Sequence, residues 1–205
     1  MSDAPRGLPA GFYARPVVEV ARDLVGCLLV GDGAVGRIVE TEAYHETEPA
    51  SHGYGEPPRP TPRTRTLFGP PGHAYVYRSY GIHACVNAVC ERDGVAAGVL
   101  LRAVEPWAGL ERIAARRPGR ARREWASGPG RLTLALGIEL EHDGTDLRDG
   151  AIRILGRPVD APEPRVVTGP RIGITRAVDL PWRFVDADST DVSRPWPPAM
   201  RAARA

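Results

Sequence analysis

Apolar positions recur at two spacings along this chain, and the change from one to the other marks its elements. Val17, Val20, Ala21, Leu24 and Val25 fall at helical spacing, in a helix whose first turn holds Pro16 and which Gly26 closes. Cys27 to Val30 then reads as a strand, Gly31-Asp32-Gly33 as a tight turn, and Val35 to Tyr44 as the antiparallel partner. On a regular strand Ile38, Glu40, Glu42 and Tyr44 share one face, and Arg37, Val39, Thr41 and Ala43 the other. Two carboxylates on an otherwise apolar strand are costly to bury unless a cation pairs with them or a wet pocket receives them. The run is therefore either a solvated sheet rim or the wall of a site.

Residues 45–73 form a proline-rich segment carrying His52, Arg59, Arg63 and Arg65. It is too long for an ordinary connection, and Leu67-Phe68 can pack inward, so an ordered loop wrapping a site is expected. Ala74 to Arg78 reads as a strand, and Ser79-Tyr80-Gly81 as a turn with an aromatic at its tip. The next strand, Ile82 to Cys90, puts His83, Cys85, Asn87 and Val89 on one face; a third, Ala97 to Val104, holds Arg102 in an apolar setting. Buried asparagine and arginine both need partners. Pro106 is expected to open a helix through Trp107, Leu110, Ile113 and Ala114 that stops at Pro118. Ser127-Gly128-Pro129 opens another, carrying Leu132, Leu134, Ala135 and Leu136, whose free N–H groups suit a phosphate. An acidic loop at 138–150 and closing strands at Ala151 to Leu155, Arg171 to Thr175 and Trp182 to Val185 complete the pattern. One domain over 1–205 is expected, with mobile ends at 1–11 and 193–205.

Composition sharpens this picture. With 205 residues, 42% of them hydrophobic, the chain can bury a sizeable core. A formal net charge of +2 conceals a local patch: seven arginines against one acid, Glu124, between Arg112 and Arg131. That patch is a solvated helix face or a surface for a polyanion. All 27 basic residues are arginine, and the absence of lysine excludes a P-loop lysine, a lysine Schiff base to a cofactor and a lysine nucleophile. Three cysteines at irregular spacing make no disulfide framework and point to a reduced, cytoplasmic setting. Neither a secretory leader nor an apolar run of bilayer length is present, so no membrane partner is expected.

Several separated runs, RIVETEAY at 37–44, ASH at 50–52, TPRTR at 61–65, PGHAYVYRSYG at 71–81, CVN at 85–87, VLLRAVEP at 99–106 and SGPGRL at 127–132, stand in one order. In that order they resemble the alkyladenine (3-methyladenine) DNA glycosylases of the human and bacterial monomeric type, from about Phe12 to Val192. The resemblance implies a single α+β domain built on a curved, mostly antiparallel sheet with helices around it. It implies a monomeric enzyme without metal or cofactor, whose partner is double-stranded DNA containing damaged purines. Glu42 matches the general base that activates water against the sugar C1′, and Arg102 a residue that holds the site together near that water and the target phosphate. Tyr44, His52 and Tyr77 match the walls of a base pocket, Asn87 a gate against the exocyclic amine of guanine, and Tyr80 a wedge that fills the gap in the duplex. Arg63, Arg65, Arg78, Ser127 and Gly128 are expected at the DNA backbone, although Arg78 stands where the family has an aliphatic residue.

Residue chemistry supports the same reading. Reaching a base inside a duplex requires extrusion at a few kcal/mol, and stacking on an aromatic ring returns roughly 1–3 kcal/mol per base. A carboxylate near C1′ serves as base for water and as counter-charge for an oxocarbenium-like state. Without lysine only the α-amino group could form an imine, so an enzyme without strand-cleaving lyase activity is expected. Glu40 can be the acid for neutral purines or the partner of an arginine. Two other readings stay open: a metal-dependent hydrolase using His83 and Cys85 with Cys90, His73 or Glu42, and a nucleic-acid-binding module without catalysis.

Overall fold

In the computed structural model, which describes residues 5–202, the helical spacing after Pro16 forms α2 (Val17–Asp23), preceded by the one-turn α1 (Ala10–Tyr13). Val17, Val20 and Ala21 are its buried face. The chain then enters β1 (Leu28–Gly31) and β2 (Ala34–His45), a hairpin closed at Gly31 and Ala34 across Asp32-Gly33. Gly33, with φ +63°, supplies the left-handed residue that such a short turn requires. A long loop containing a 3-10 turn at Arg65–Phe68 leads to β3 (Ala74–Ser79), β4 (His83–Val89) and β5 (Ala97–Ala108). There follow α3 (Leu110–Arg116), α4 (Pro129–Leu136), the short strands β6 (Arg153–Leu155), β7 (Val166–Gly169) and β8 (Arg183–Asp186), and α5 (Pro198–Ala202).

All pairings are antiparallel, in the order β3-β4-β5-β2-β1-β6, with β8 joined to β2 and β7 to β8. β2 pairs with β5 along one edge and divides its other edge between β1 and β8, so the sheet curls into a half-barrel with helices around it. This is the α+β architecture that the resemblance implied. The main core lies between the sheet and α2 and α4, where Tyr13, Leu24, Leu29, Ile38, Leu101, Leu132 and Leu136 are fully buried. Among the described residues no helix is long and apolar enough to cross a membrane.

Three expectations are corrected here. Ile38 does not share a face with Glu40 and Glu42: the β2–β5 register slips between Ile38 and Glu40 and again between Glu40 and Thr41. Ile38 and Ala43 therefore both belong to the main core, while Val39 packs with Ala103 and Val185 in a second cluster. Pro106 and Trp107 lie in β5 rather than in a helix, on a stretch with β2 on one side only, which a proline tolerates. Residues 171–175 are an irregular loop, and the strand preceding it is β7. Of the two ends, residues 1–4 and 203–205 lie outside the described residues, and the described parts carry the following contacts. Gly7 bridges to Leu155, Ser193 is buried, and Met200 of α5 fills the second cluster with Val192.

Candidate active site

The paired register slips in β2 and β5 aim three charged side chains at one another beneath the curled sheet. Beyond the slip, Glu40 stands opposite Ala103 and Thr41 opposite Leu101, which leaves Arg102 as the extra residue of β5. Arg102 donates from Nε to Glu40 Oε1 at 3.0 Å and from Nη1 to Glu42 Oε2 at 3.3 Å. Glu40 also accepts from Arg183 Nε at 2.7 Å, the Ser193 N–H at 2.7 Å and the Ser193 hydroxyl at 2.8 Å. Of the two roles open to Glu40, the structure shows the ion pair: its carboxylate is fully buried and held by two arginines.

Glu42 is fully buried as well. Its Oε2 accepts from the Tyr44 hydroxyl at 2.8 Å in addition to Arg102, and its Oε1 accepts from the Ile172 N–H at 2.7 Å. Three of about four acceptor positions are thus engaged, one on Oε1 and two on Oε2. Burial pushes the Glu42 carboxyl above the usual carboxylate range, against the Arg102 charge and the Ile172 and Tyr44 hydrogen bonds, which pull it down. Burial alone would lower Arg102, but Glu42 and Glu40 outweigh it and hold the guanidinium charged. Tyr44 is braced from one side by Arg171, whose guanidinium lies 4.6 Å from the ring centroid and pairs with Glu48 at 2.7 and 2.9 Å.

Tyr44 and Arg102 border a cavity of about 530 Å³ whose other walls include His52, Arg63, Tyr75, Tyr77, Asn87 and Ile172. Its size suits one planar heterocycle. The aromatic wall is a connected unit: Tyr75 and Tyr77 stack at 5.2 Å, and His52 packs edge-on against Tyr77 at 4.6 Å with Nδ1 3.1 Å from the Tyr75 hydroxyl. Burial, then the nearby Arg63 charge, depresses the His52 pKa, so the ring is neutral at pH 7. Asn87 donates to the Tyr75 carbonyl at 3.0 Å from the facing strand. Tyr80 sits at the cavity mouth, at the tip of the β3–β4 hairpin, 88% exposed and at φ +48°.

The residues expected at a backbone are distributed differently from one another. Arg65 and Arg78 are exposed, with Arg78 on the opposite face of β3 from Tyr77. Arg63 is exposed as well, but it also borders the cavity, its guanidinium 5.3 Å from the Tyr77 centroid. Ser127 bridges to Ala103 of β5, and Gly128 caps α4 at φ +137°. Both border a second groove of about 650 Å³ lined also by Arg123, Arg131, Arg194 and Trp196. Arg102 borders both spaces and forms part of the partition between them. The rest of the arginine-rich stretch is partly spent on structure, since Arg116 pairs with Asp32 and Arg122 donates to the Pro106 carbonyl.

The side chains of the metal reading do not converge. His83 and Cys85 face away from Cys90, which lies in the main core, and among the described residues no three His, Cys, Asp or Glu side chains meet at a point. Sequence reasoning missed Arg171, Ile172, Arg183 and Ser193, all brought in from loops or strand ends more than 120 residues after Glu40 and Glu42. Its one available signal was arithmetic: two buried carboxylates need more cations than Arg102 alone. Tyr75 is buried and also borders the cavity.

The chain is similar to known proteins over most of its length. A family model described as methylpurine-DNA glycosylase matches residues 11–190. A protein of Rhodopseudomonas palustris strain CGA009 is 53% identical over 186 residues, 91% of this chain and 87% of its own length. One from Bradyrhizobium diazoefficiens is 50% identical over 93% of this chain and 92% of its own. One from Methanoculleus marisnigri is 50% identical over 91% of this chain and 98% of its own. All three carry the provisional name of 3-methyladenine DNA glycosylase.

Proposed function

The chain belongs to the methylpurine-DNA glycosylase family of DNA-repair enzymes, which hydrolyse N-glycosyl bonds, and on that premise we propose that it extrudes a damaged purine from duplex DNA and hydrolyses its bond to the sugar with Glu42 as base. Tyr80 enters the duplex where the base has left, and the purine stacks in the cavity between Tyr44 and the Tyr77–His52 wall. Asn87 reads the purine edge and rejects an exocyclic amine. The observation that carries the reading is the buried Glu42 carboxylate, held by Arg102, Tyr44 and Ile172 immediately behind the lining of an aromatic cavity.

The steps follow from that arrangement. Glu42 takes a proton from water as the water attacks C1′, and its negative charge faces the oxocarbenium-like sugar as the purine departs. The bond from C1′ to water forms, the bond to the purine nitrogen breaks, and the electron pair leaves with the base. Arg102 keeps Glu42 in place and lies toward the second groove, where Ser127, Gly128 and the neighbouring arginines suit a phosphate. With no lysine in the chain, the product is an intact strand with an abasic site. The enzyme works as a monomer and needs neither metal nor cofactor.

The test uses duplexes containing hypoxanthine, ethenoadenine or 7-methylguanine, with wild type and Glu42→Gln assayed in chelator. Base release by wild type only, with strand breaks appearing only after alkali, is expected. Equal release by both proteins, or activity restored only by metal, would overturn the assignment.

A further inference from the structure

Arg63 stands apart from the other arginines expected at the DNA backbone, because its guanidinium belongs to the wall of the cavity. It lies 5.3 Å from the Tyr77 ring centroid and interacts with the Tyr75 hydroxyl, which in turn sits 3.1 Å from His52 Nδ1. Among the described residues no carboxylate forms an ion pair with it. The opposite wall offers a comparison: Arg171 lies on the Tyr44 ring, but its charge is neutralised by Glu48 through two hydrogen bonds. His52 adds no charge, since burial and Arg63 both hold it neutral. The Tyr77 side of the cavity therefore carries one uncompensated positive charge, and a tyrosine face already engaged by one cation attracts a second less strongly.

We infer that Arg63 biases the cavity toward uncharged purine lesions and against cationic ones. The inference rests on the proposed role of the cavity as a base pocket. A 7-methylguanine nucleotide carries a formal positive charge and meets repulsion beside Arg63. Hypoxanthine is neutral and presents carbonyl and ring-nitrogen acceptors that a guanidinium field favours. The bias falls where it is useful: a cationic purine is a good leaving group and needs little help from binding, whereas a neutral purine depends on interactions made in the pocket.

Single-turnover release of hypoxanthine and of 7-methylguanine from otherwise identical duplexes tests this, comparing wild type with Arg63→Gln, Arg63→Glu and Arg65→Gln. The hypoxanthine-to-7-methylguanine rate ratio is expected to fall about two- to fivefold in Arg63→Gln, the scale of an exposed cation–π or charge contact, and further in Arg63→Glu. Arg65→Gln is expected to slow both substrates alike. An unchanged ratio in both Arg63 variants, with both rates lowered together, would make Arg63 a backbone contact and overturn the inference. Wild type releasing neither base would instead overturn the glycosylase mechanism on which it rests.

Discussion

Arg102 Nη1 donates to Glu42 Oε2 at 3.3 Å while its Nε holds Glu40 at 3.0 Å, so one guanidinium spaces two buried carboxylates. Removing it leaves Glu42 with the Ile172 N–H and the Tyr44 hydroxyl alone. In the proposed mechanism Glu42 acts as a carboxylate, so activity should be lost as pH falls through its pKa, which burial raises above the ordinary carboxylate range. Arg102→Gln removes the largest opposing influence. The acid limb of kcat/KM for hypoxanthine release is expected to move to higher pH in this variant. An acid limb at the wild-type position would show that Arg102 does not act through Glu42.

Glu40 answers to Arg102, Arg183 and Ser193 together. Glu40→Ala strands two buried guanidinium groups and is expected to cost about 3–5 kcal/mol of folding stability, read by urea unfolding. Glu40→Gln keeps one acceptor oxygen and should lose less. If Glu40 were instead an acid for neutral purines, Glu40→Gln would abolish hypoxanthine release while leaving 7-methylguanine release and stability intact.

Tyr80 is 88% exposed and contributes little to the core. Tyr80→Ala is expected to change stability by less than about 0.5 kcal/mol, the usual range for exposed positions. Tyr80→Gly should be at least as stable, because φ +48° suits glycine. Both should slow excision from duplex substrate much more than from a single-stranded oligonucleotide carrying the same lesion, where no stack needs filling. An equal loss on the two substrates would remove the wedge role.

Arg131 borders the second groove beside Ser127 and Gly128, its Nη1 3.3 Å from the Ser127 hydroxyl. If a phosphate is held there, Arg131→Gln should weaken duplex binding at every sequence and lessen the slope of log K against log salt by about 0.9, the value for one phosphate contact. Affinity measured from low to moderate salt checks this, and an unaltered slope would place the backbone elsewhere.

Local pattern was enough for the elements that carry the site. The β1–β2 hairpin follows from its turn residues, the β3–β4 hairpin from alternation around Ser79-Tyr80-Gly81, and α4 from Gly128, Pro129 and Gly137. Those are short-range steric and burial preferences, so the sequence by itself determined that Tyr80 would crown a hairpin and that Cys85 and Asn87 would share a strand face. It also determined, through the absence of lysine, that no lysine side-chain amine is available to form an imine. Only the tertiary structure decided which way the carboxylates point. The register slips that turn Glu40, Glu42 and Arg102 toward one another arise from pairing between strands some 60 residues apart, and no periodicity within either strand encodes them. The placement of Arg171, Ile172 and Ser193 was likewise decided by long-range pairing: buried charges select their partners by distance in space, and the loops that supply them carry no repeating pattern.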